Sequence, residues 1–278
     1  MITECKLEVI YPIHSCLFTG LQFHTRDLLS MAISNEWLWF SSQLGVSMPE
    51  FIKKHHQGLV IIALDIEYSR VFEFFDASQF TAKIQRFKVR QQNSIFEFHH
   101  EFIADDVVFA KVLIHQRVLE LSGDEALSGV PGKVKACLLQ KFLPDEIEPS
   151  NIVRRAPRLQ NQIEQEGQLI AKNSYPFILH RHQCEVAEQW SFIELPTLAS
   201  SGRERLLLSL ENDSTHLMET LGMPLKNIVA KLTCPFFLFD EGQIDTSAYT
   251  FNNRIVFIHR VINVSRANTS AAVVIEMF

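Results

Sequence analysis

What the chain lacks narrows it first. Its five cysteines, Cys5, Cys16, Cys137, Cys184 and Cys234, are odd in number and dispersed, with no C-x-x-C pair. A zinc ribbon and a dithiol redox motif are thereby excluded, and no metal is expected. Tyr is scarce (4 residues) beside Phe (22), so most of the aromatic surface has no polar handle and suits a greasy interior or pocket. There is no basic surplus: 26 Lys and Arg against 32 Asp and Glu give a formal net charge of -6, which argues against a nucleic-acid partner. The longest apolar run, around Gly58 to Ala63, is too short to span a bilayer. Met1-Ile2-Thr3-Glu4-Cys5 is not a basic segment followed by an apolar one, so no signal peptide is expected and the expected location is cytoplasmic. Also missing are a Gly-rich phosphate loop, a G-x-S-x-G elbow, a Rossmann fingerprint and an H-E-x-x-H pair.

What is present repeats. His14-Ser15-Cys16 returns as His182-Gln183-Cys184, and at the same spacing Asn35-Glu36-Trp37-Leu38 faces Arg203-Glu204-Arg205-Leu206. Phe75-Asp76 and Gln79 return as Phe239-Asp240 and Gln243, and Ile95 and His99 as Ile255 and His259. The spacing falls from 168 to 164 to 160 residues along the chain, as it would if loops shortened in a second copy. Matches in this order point to an internal duplication.

Each copy follows one plan. A short strand, Leu7 to Ile13 or Pro176 to His182, precedes a helical stretch. In the first copy that stretch is Asp27 to Leu44, apolar nearly all round, as expected of a helix wrapped by a sheet. In the second, Pro196 and Gly202 predict a shorter or kinked helix. Strands follow at Phe80 to Val89, Ser94 to Ile103 and Val107 to Val118, and again at Thr246 to Phe251, Arg254 to Asn263 and Ala271 to Phe278. Arg90-Gln91-Gln92-Asn93, Asp105-Asp106 and Asn252-Asn253 are their turns. Pro131 to Phe142 predicts a short amphipathic helix, and the polar segment 146–172 a linker. The expected organisation is an α+β chain with a first domain at 1–145, the linker, and a second domain at 173–278.

This layout resembles the hotdog fold, in which an antiparallel sheet wraps a long central helix. In detail it resembles the 4-hydroxybenzoyl-CoA and YbgC-like acyl-CoA thioesterases, through Ala32-Ile33-Ser34-Asn35-Glu36-Trp37-Leu38, Leu44-Gly45, Ile66-Glu67-Tyr68 and Val130-Pro131-Gly132-Lys133-Val134. The resemblance covers about residues 7 to 142 and, more weakly, 176 to 278. It implies two hotdog repeats forming an intrachain pseudo-dimer, an acyl-thioester substrate on CoA or an acyl-carrier protein, no further cofactor, and a homodimer of pseudo-dimers as a possible assembly. One departure stands out. The family's loop motif D-x-D-x-x-G carries its catalytic carboxylate on the second Asp, and matching through Glu36 puts Cys16 there, with His14 on the first Asp. Cys184 and His182 take these places in the second copy. The family's helix-start N–H, which polarises the thioester carbonyl, falls by the same match on Phe23, with Ser191 as counterpart.

Several residues could carry thioester chemistry. His14 with Cys16, and His182 with Cys184, stand two apart on chain expected to be extended, so an imidazole could activate a thiol. The alternative is a small buried Cys at a strand end. Glu185 is an acid beside the second loop, and Glu36 and Glu204 occupy equivalent helix positions from which a carboxylate could act. His99-His100-Glu101 and His259-Arg260 are expected to be strand-surface residues. Acyl-thioester hydrolysis in a cleft between the halves is the leading expectation. A hotdog dehydratase or acyltransferase is the second, although His14 lacks the H-x-x-x-G-x-x-x-x-P context of the dehydratases. A non-catalytic acyl-thioester-binding protein is the third, favoured by the missing Asp in both copies.

Overall fold

The computed structural model describes residues 7–90, 92–121, 129–139, 151–186, 188–210 and 215–278. Strand β1 (Leu7–Pro12) leads to α1 (Thr25–Trp39), a π turn (Phe40–Leu44) and α2 (Met48–Lys53). Strands β2 (Gln57–Tyr68), β3 (Gln79–Arg90), β4 (Ile95–Ala104), β5 (Val107–Leu121) and the short β6 (Gly129–Pro131) follow. After α3 (Ala136–Leu139) and α4 (Ile152–Glu166) come β7 (Gln168–Ile178), α5 (Leu195–Leu208), α6 (Thr215–Met218), β8 (Asn227–Leu232), β9 (Glu241–Phe251), β10 (Arg254–Asn263) and β11 (Thr269–Met277).

These strands form one antiparallel sheet in the order β1-β3-β4-β5-β2-β8-β11-β10-β9-β7, with β6 on β5. The last five positions retrace the first five in reverse, and the seam is β2 against β8, from Ala63↔Lys231 to Glu67↔Asn227. Strand alternation makes one face apolar: Leu64 and Ile66 point in, Asp65 and Glu67 away. On that inner face α1 packs on β1, β3 and β5, while α5 packs on β7, β9 and β10. Leu28, Leu29 and Ala32 of α1 share one core with Leu195, Ala199, Leu206 and Leu207 of α5. Each buried Leu or Phe there contributes about 1.5–3 kcal/mol of burial. The hairpins turn where short polar side chains tolerate left-handed backbone: φ is 54° and 68° at Gln92 and Asn93, 49° and 61° at Asp105 and Asp106, and 50° and 58° at Asn252 and Asn253.

Two expectations are corrected. The stretch taken as linker is structured from Ile152: α4 buries Ile152, Ala156 and Ile163 and packs on β8, β2, β11 and β9, on the face opposite α5. Its thin apolar stripe, spaced i, i+4, i+11 in polar sequence and holding Pro157, hid the helix. Strand β7 then starts at Gln168, eight residues before Pro176, which is tolerated because β7 is an edge strand. The second helix is, as expected, the shorter: α5 has 14 residues, against 15 in α1 before its π continuation to Leu44; Pro196 sits in its first turn, where a missing N–H costs nothing, and Gly202 lets it approach the sheet. A Cβ at Gly202 would stand 2.7 Å from Thr246 Oγ1. The expected helix over Pro131 to Phe142 is reduced to α3, preceded by β6, with 140–142 outside the described residues.

Candidate functional site

The start of α1 is built by the loop before it. His14 caps a 3-10 turn (Ser15–Leu17), Phe18 bridges to Phe23, and the Leu17 carbonyl accepts the His24 N–H at 2.7 Å. His24 is then the N-cap of α1 but supplies no side-chain cap, so the N–H groups of Thr25 and Arg26 have no acceptor among the described residues. Tyr68, at the end of β2, hydrogen-bonds the Thr25 hydroxyl at 2.9 Å and donates to the Phe23 carbonyl at 3.0 Å. Burial pushes its phenol above the usual range. Arg26 reaches the other half and donates from Nε to Glu194 Oε1 at 2.7 Å, just before α5. An uncapped, electropositive helix start, a half-buried imidazole and a contact from the second half therefore meet here.

The loop before α5 has the same build, which fixes the correspondence. His180 caps a 3-10 turn (Arg181–Gln183), Cys184 bridges to Trp190, and the Gln183 carbonyl accepts the Ser191 N–H at 2.9 Å. His14 thus corresponds to His180, Cys16 to His182 and Phe18 to Cys184. The expected pairing of Cys16 with Cys184 and of His14 with His182 is two residues out. Cys16 and His182 lie within 3-10 turns, so the premise of extended chain that puts residues two apart on one face does not hold. Cys16, His14, His182 and Glu185 are exposed. Cys184 donates to the His180 carbonyl at 3.5 Å, and desolvation with nearby Glu188 raises its thiol pKa, which disfavours a thiolate. The Ser191 N–H is already used; the Phe23 N–H, two residues before the helix, has no acceptor among the described residues, and neither have the helix-start N–H groups of Thr25 and Arg26.

Two buried polar centres lie on the inner face. In the first half, Glu36 of α1 is hydrogen-bonded by Gln116 of β5, and His100 Nε2 of β4 joins Glu36 Oε1 at 2.9 Å. Burial raises the Glu36 pKa well above the usual carboxylate range and pushes His100 down to about 3, so both are held uncharged. In the second half, Arg203 of α5 donates to Glu276 Oε2 of β11 at 2.5 Å, and His259 Nε2 joins the same oxygen at 3.2 Å. Thr246 Oγ1 lies 3.0 Å from His259 Nδ1, so one tautomer satisfies both contacts. Arg203 and His259 hold the Glu276 carboxyl down, at about 2, against its burial. Thr246, His259 and Glu276 follow the order of a nucleophilic triad, but they are at most 1% exposed and Gly202 covers them.

The helix counterpart of Glu36 is therefore Arg203; Glu204 is exposed and accepts from Ser200 one turn back. Nor are the strand histidines all surface residues: His100 and His259 are buried, while His99, Glu101 and Arg260 face outward. The legible signal was Phe98-x-His100 and Phe257-x-His259, each imidazole stacked on the Phe two before it. On the outer face Glu97 gathers Arg90, His99 and His115. Beside it, a cavity of about 350 Å³ is lined by Asp65, Glu67, Arg86, His99, Glu101 and Lys111. Glu8, Lys83, Glu101, Lys111 and Glu67 alternate in sign across adjacent strands, and Arg155 pairs with Asp65, as expected of a solvated face.

Among the described residues no helix is long and apolar enough to cross a membrane. No family model and no curated protein matches the chain. Solved structures do. A Lactobacillus plantarum protein assigned as an oleoyl thioesterase is 10% identical, with a TM-score of 0.72 over 99% of this chain and 96% of that one. The 12:0-ACP thioesterase from Umbellularia californica is 5% identical, with a TM-score of 0.69 over 98% and 93%. An acyl-ACP thioesterase from Bacteroides thetaiotaomicron is 8% identical, with a TM-score of 0.64 over 98% and 97%. The chain shares their fold along its length.

Proposed function

We propose that this chain is a pair of hotdog repeats on one polypeptide that hydrolyses acyl thioesters at the uncapped start of α1. The observation that carries the reading is that helix start, open behind His24 in a fold shared end to end with three thioesterases. The mirrored strand order and the matched loops support the repeat.

In this reading the thioester carbonyl points its oxygen at the N–H groups of Thr25 and Arg26, where the helix end favours developing negative charge. His24, held by the Leu17 carbonyl, takes a proton from water as the water attacks. The tetrahedral intermediate expels the thiolate of CoA or of a carrier protein, and His24 returns the proton to it. The Arg26–Glu194 pair keeps the second half against this site. The thioester, water and His24 supply the reacting groups, so the scheme uses no resident cofactor. Cys16, on the turn next to Leu17, is the alternative nucleophile.

The test is free-thiol release from short, medium, long and aromatic acyl-CoAs and from acyl-carrier thioesters. Turnover lost in His24→Ala and kept in Cys16→Ala supports water attack. Loss in Cys16→Ala, with an acyl adduct on intact mass, moves the chemistry to the thiol. Release from none of the substrates, with tight binding retained, makes this a binding protein.

A further inference from the structure

A second thiol–imidazole pair lies far from α1's start. Cys137 Sγ of α3 is 3.9 Å from His55 Nδ1, just after α2. Cys137 is exposed, and His55 is fixed against the ring of Phe51, with centroids 6.4 Å apart. The two segments are tied by the fully buried Gln57, which donates to the Lys133 carbonyl at 2.6 Å and accepts the Lys135 N–H at 3.2 Å. Lys133 and Lys135 stand four and two residues before Cys137, Lys53 and Lys54 two and one before His55, and all four side chains are exposed. Among the described residues the acids next to these segments are Glu50, engaged by Ser47 in the α2 cap, and exposed Glu120. Four exposed lysines flanking a thiol and its imidazole are conspicuous on a chain of net charge -6. β2 alone separates Gln57 from Tyr68 by 11 residues, about 36 Å of strand, so this site is distinct from the start of α1.

We propose that Cys137 and His55 form a modification site that exchanges with small anionic disulfides, of which oxidised glutathione is the chemical type. The flanking lysines concentrate the anion, and His55 accepts the thiol proton as the Cys137 sulfur attacks one sulfur of the disulfide. A new S–S bond to Cys137 forms as the old one breaks. Cys137 is oxidised, and the departing half leaves as a thiolate that takes the proton from His55.

The experiment uses the full chain with two disulfides, dianionic 5,5′-dithiobis(2-nitrobenzoate) and uncharged 4,4′-dithiodipyridine, reading each cysteine by peptide mapping. Cys16, equally exposed but without an imidazole hydrogen bond, is the internal reference. Cys137 is expected to outpace Cys16 by about tenfold with the dianion, and high salt or Lys53→Gln/Lys133→Gln to remove most of that gain. His55→Ala is expected to slow Cys137 with both reagents, and oxidised glutathione to give a mixed disulfide on Cys137. Equal rates at Cys16 and Cys137, or a Cys137 rate indifferent to reagent charge, would overturn the proposal. Unchanged thermal melting of the variants separates a local effect from unfolding.

Discussion

The two halves carry the same frame and opposite polar centres. At matching places on the central helices stand Glu36 and Arg203, facing Gln116 and Glu276, each beside a strand histidine. The first centre stays neutral because burial raises its carboxyl and lowers its imidazole. The second is ionised because Arg203 stands within reach of Glu276. The helix starts differ in residues: α1 opens behind His24, whereas in the second half an equally uncapped 3-10 turn (Phe192–Glu194) behind Ser191 runs into α5, with Glu194 paired to Arg26 and Pro196 in the first turn. One scaffold therefore holds either a neutral or a charged interior, and the first half has an imidazole, His24, where the second has Ser191 at the helix start.

The largest expected effect comes from breaking the ionised centre. Arg203→Met leaves the buried Glu276 carboxylate without its cation, with only His259 as partner, and should cost about 3–5 kcal/mol in urea unfolding. Arg203→Met/Glu276→Leu removes both charges and should recover most of that loss; a double variant as unstable as the single would mean that the packing of Arg203 on Phe278, not its charge, matters. Gly202→Ala comes next, at about 1–3 kcal/mol, because its Cβ meets Thr246 and Ile244.

The pH dependence sharpens the contrast. Glu276 is lowered in the fold, so its contribution is present above the ordinary Glu value of 4.5 and is lost as pH falls toward about 2. Glu36 is raised, so its contribution is complete below 4.5 and is lost as pH rises through its folded value. Melting temperature against pH should lose its acid slope in Glu276→Gln and its slope above pH 4.5 in Glu36→Gln. Glu36→Gln should also be the mildest change, within about 0.5–1.5 kcal/mol at neutral pH, since an amide replaces a neutral carboxyl. A loss several times larger would show Glu36 to be ionised in the fold.

The strands, hairpin turns and first helix were legible because alternation, Asn and Asp turns and an all-round apolar helix are local signals. The polar centres were not, and the error was a single residue in each case. On a helix one position is about 100° of rotation, enough to exchange buried Arg203 for exposed Glu204. On a strand it is a change of face, which separates outward His99 from inward His100. The loops misled by two residues because Cys16 and Cys184 draw the eye, while the hydrogen bonds that set the register run through backbone atoms of Leu17 and Gln183. Helix α4 was hidden because few apolar residues suffice when the sheet supplies the rest of the contact.

The β2–β8 seam has one more consequence. Where two identical chains meet across such a seam, every substitution arrives twice, once on each side of the axis. Here both sides belong to one covalent chain, so dilution does not part them and a change on one side leaves the other untouched. Inheritance can then act on each side separately, which is the condition under which a carboxyl facing an amide and a guanidinium facing a carboxylate come to share one molecule.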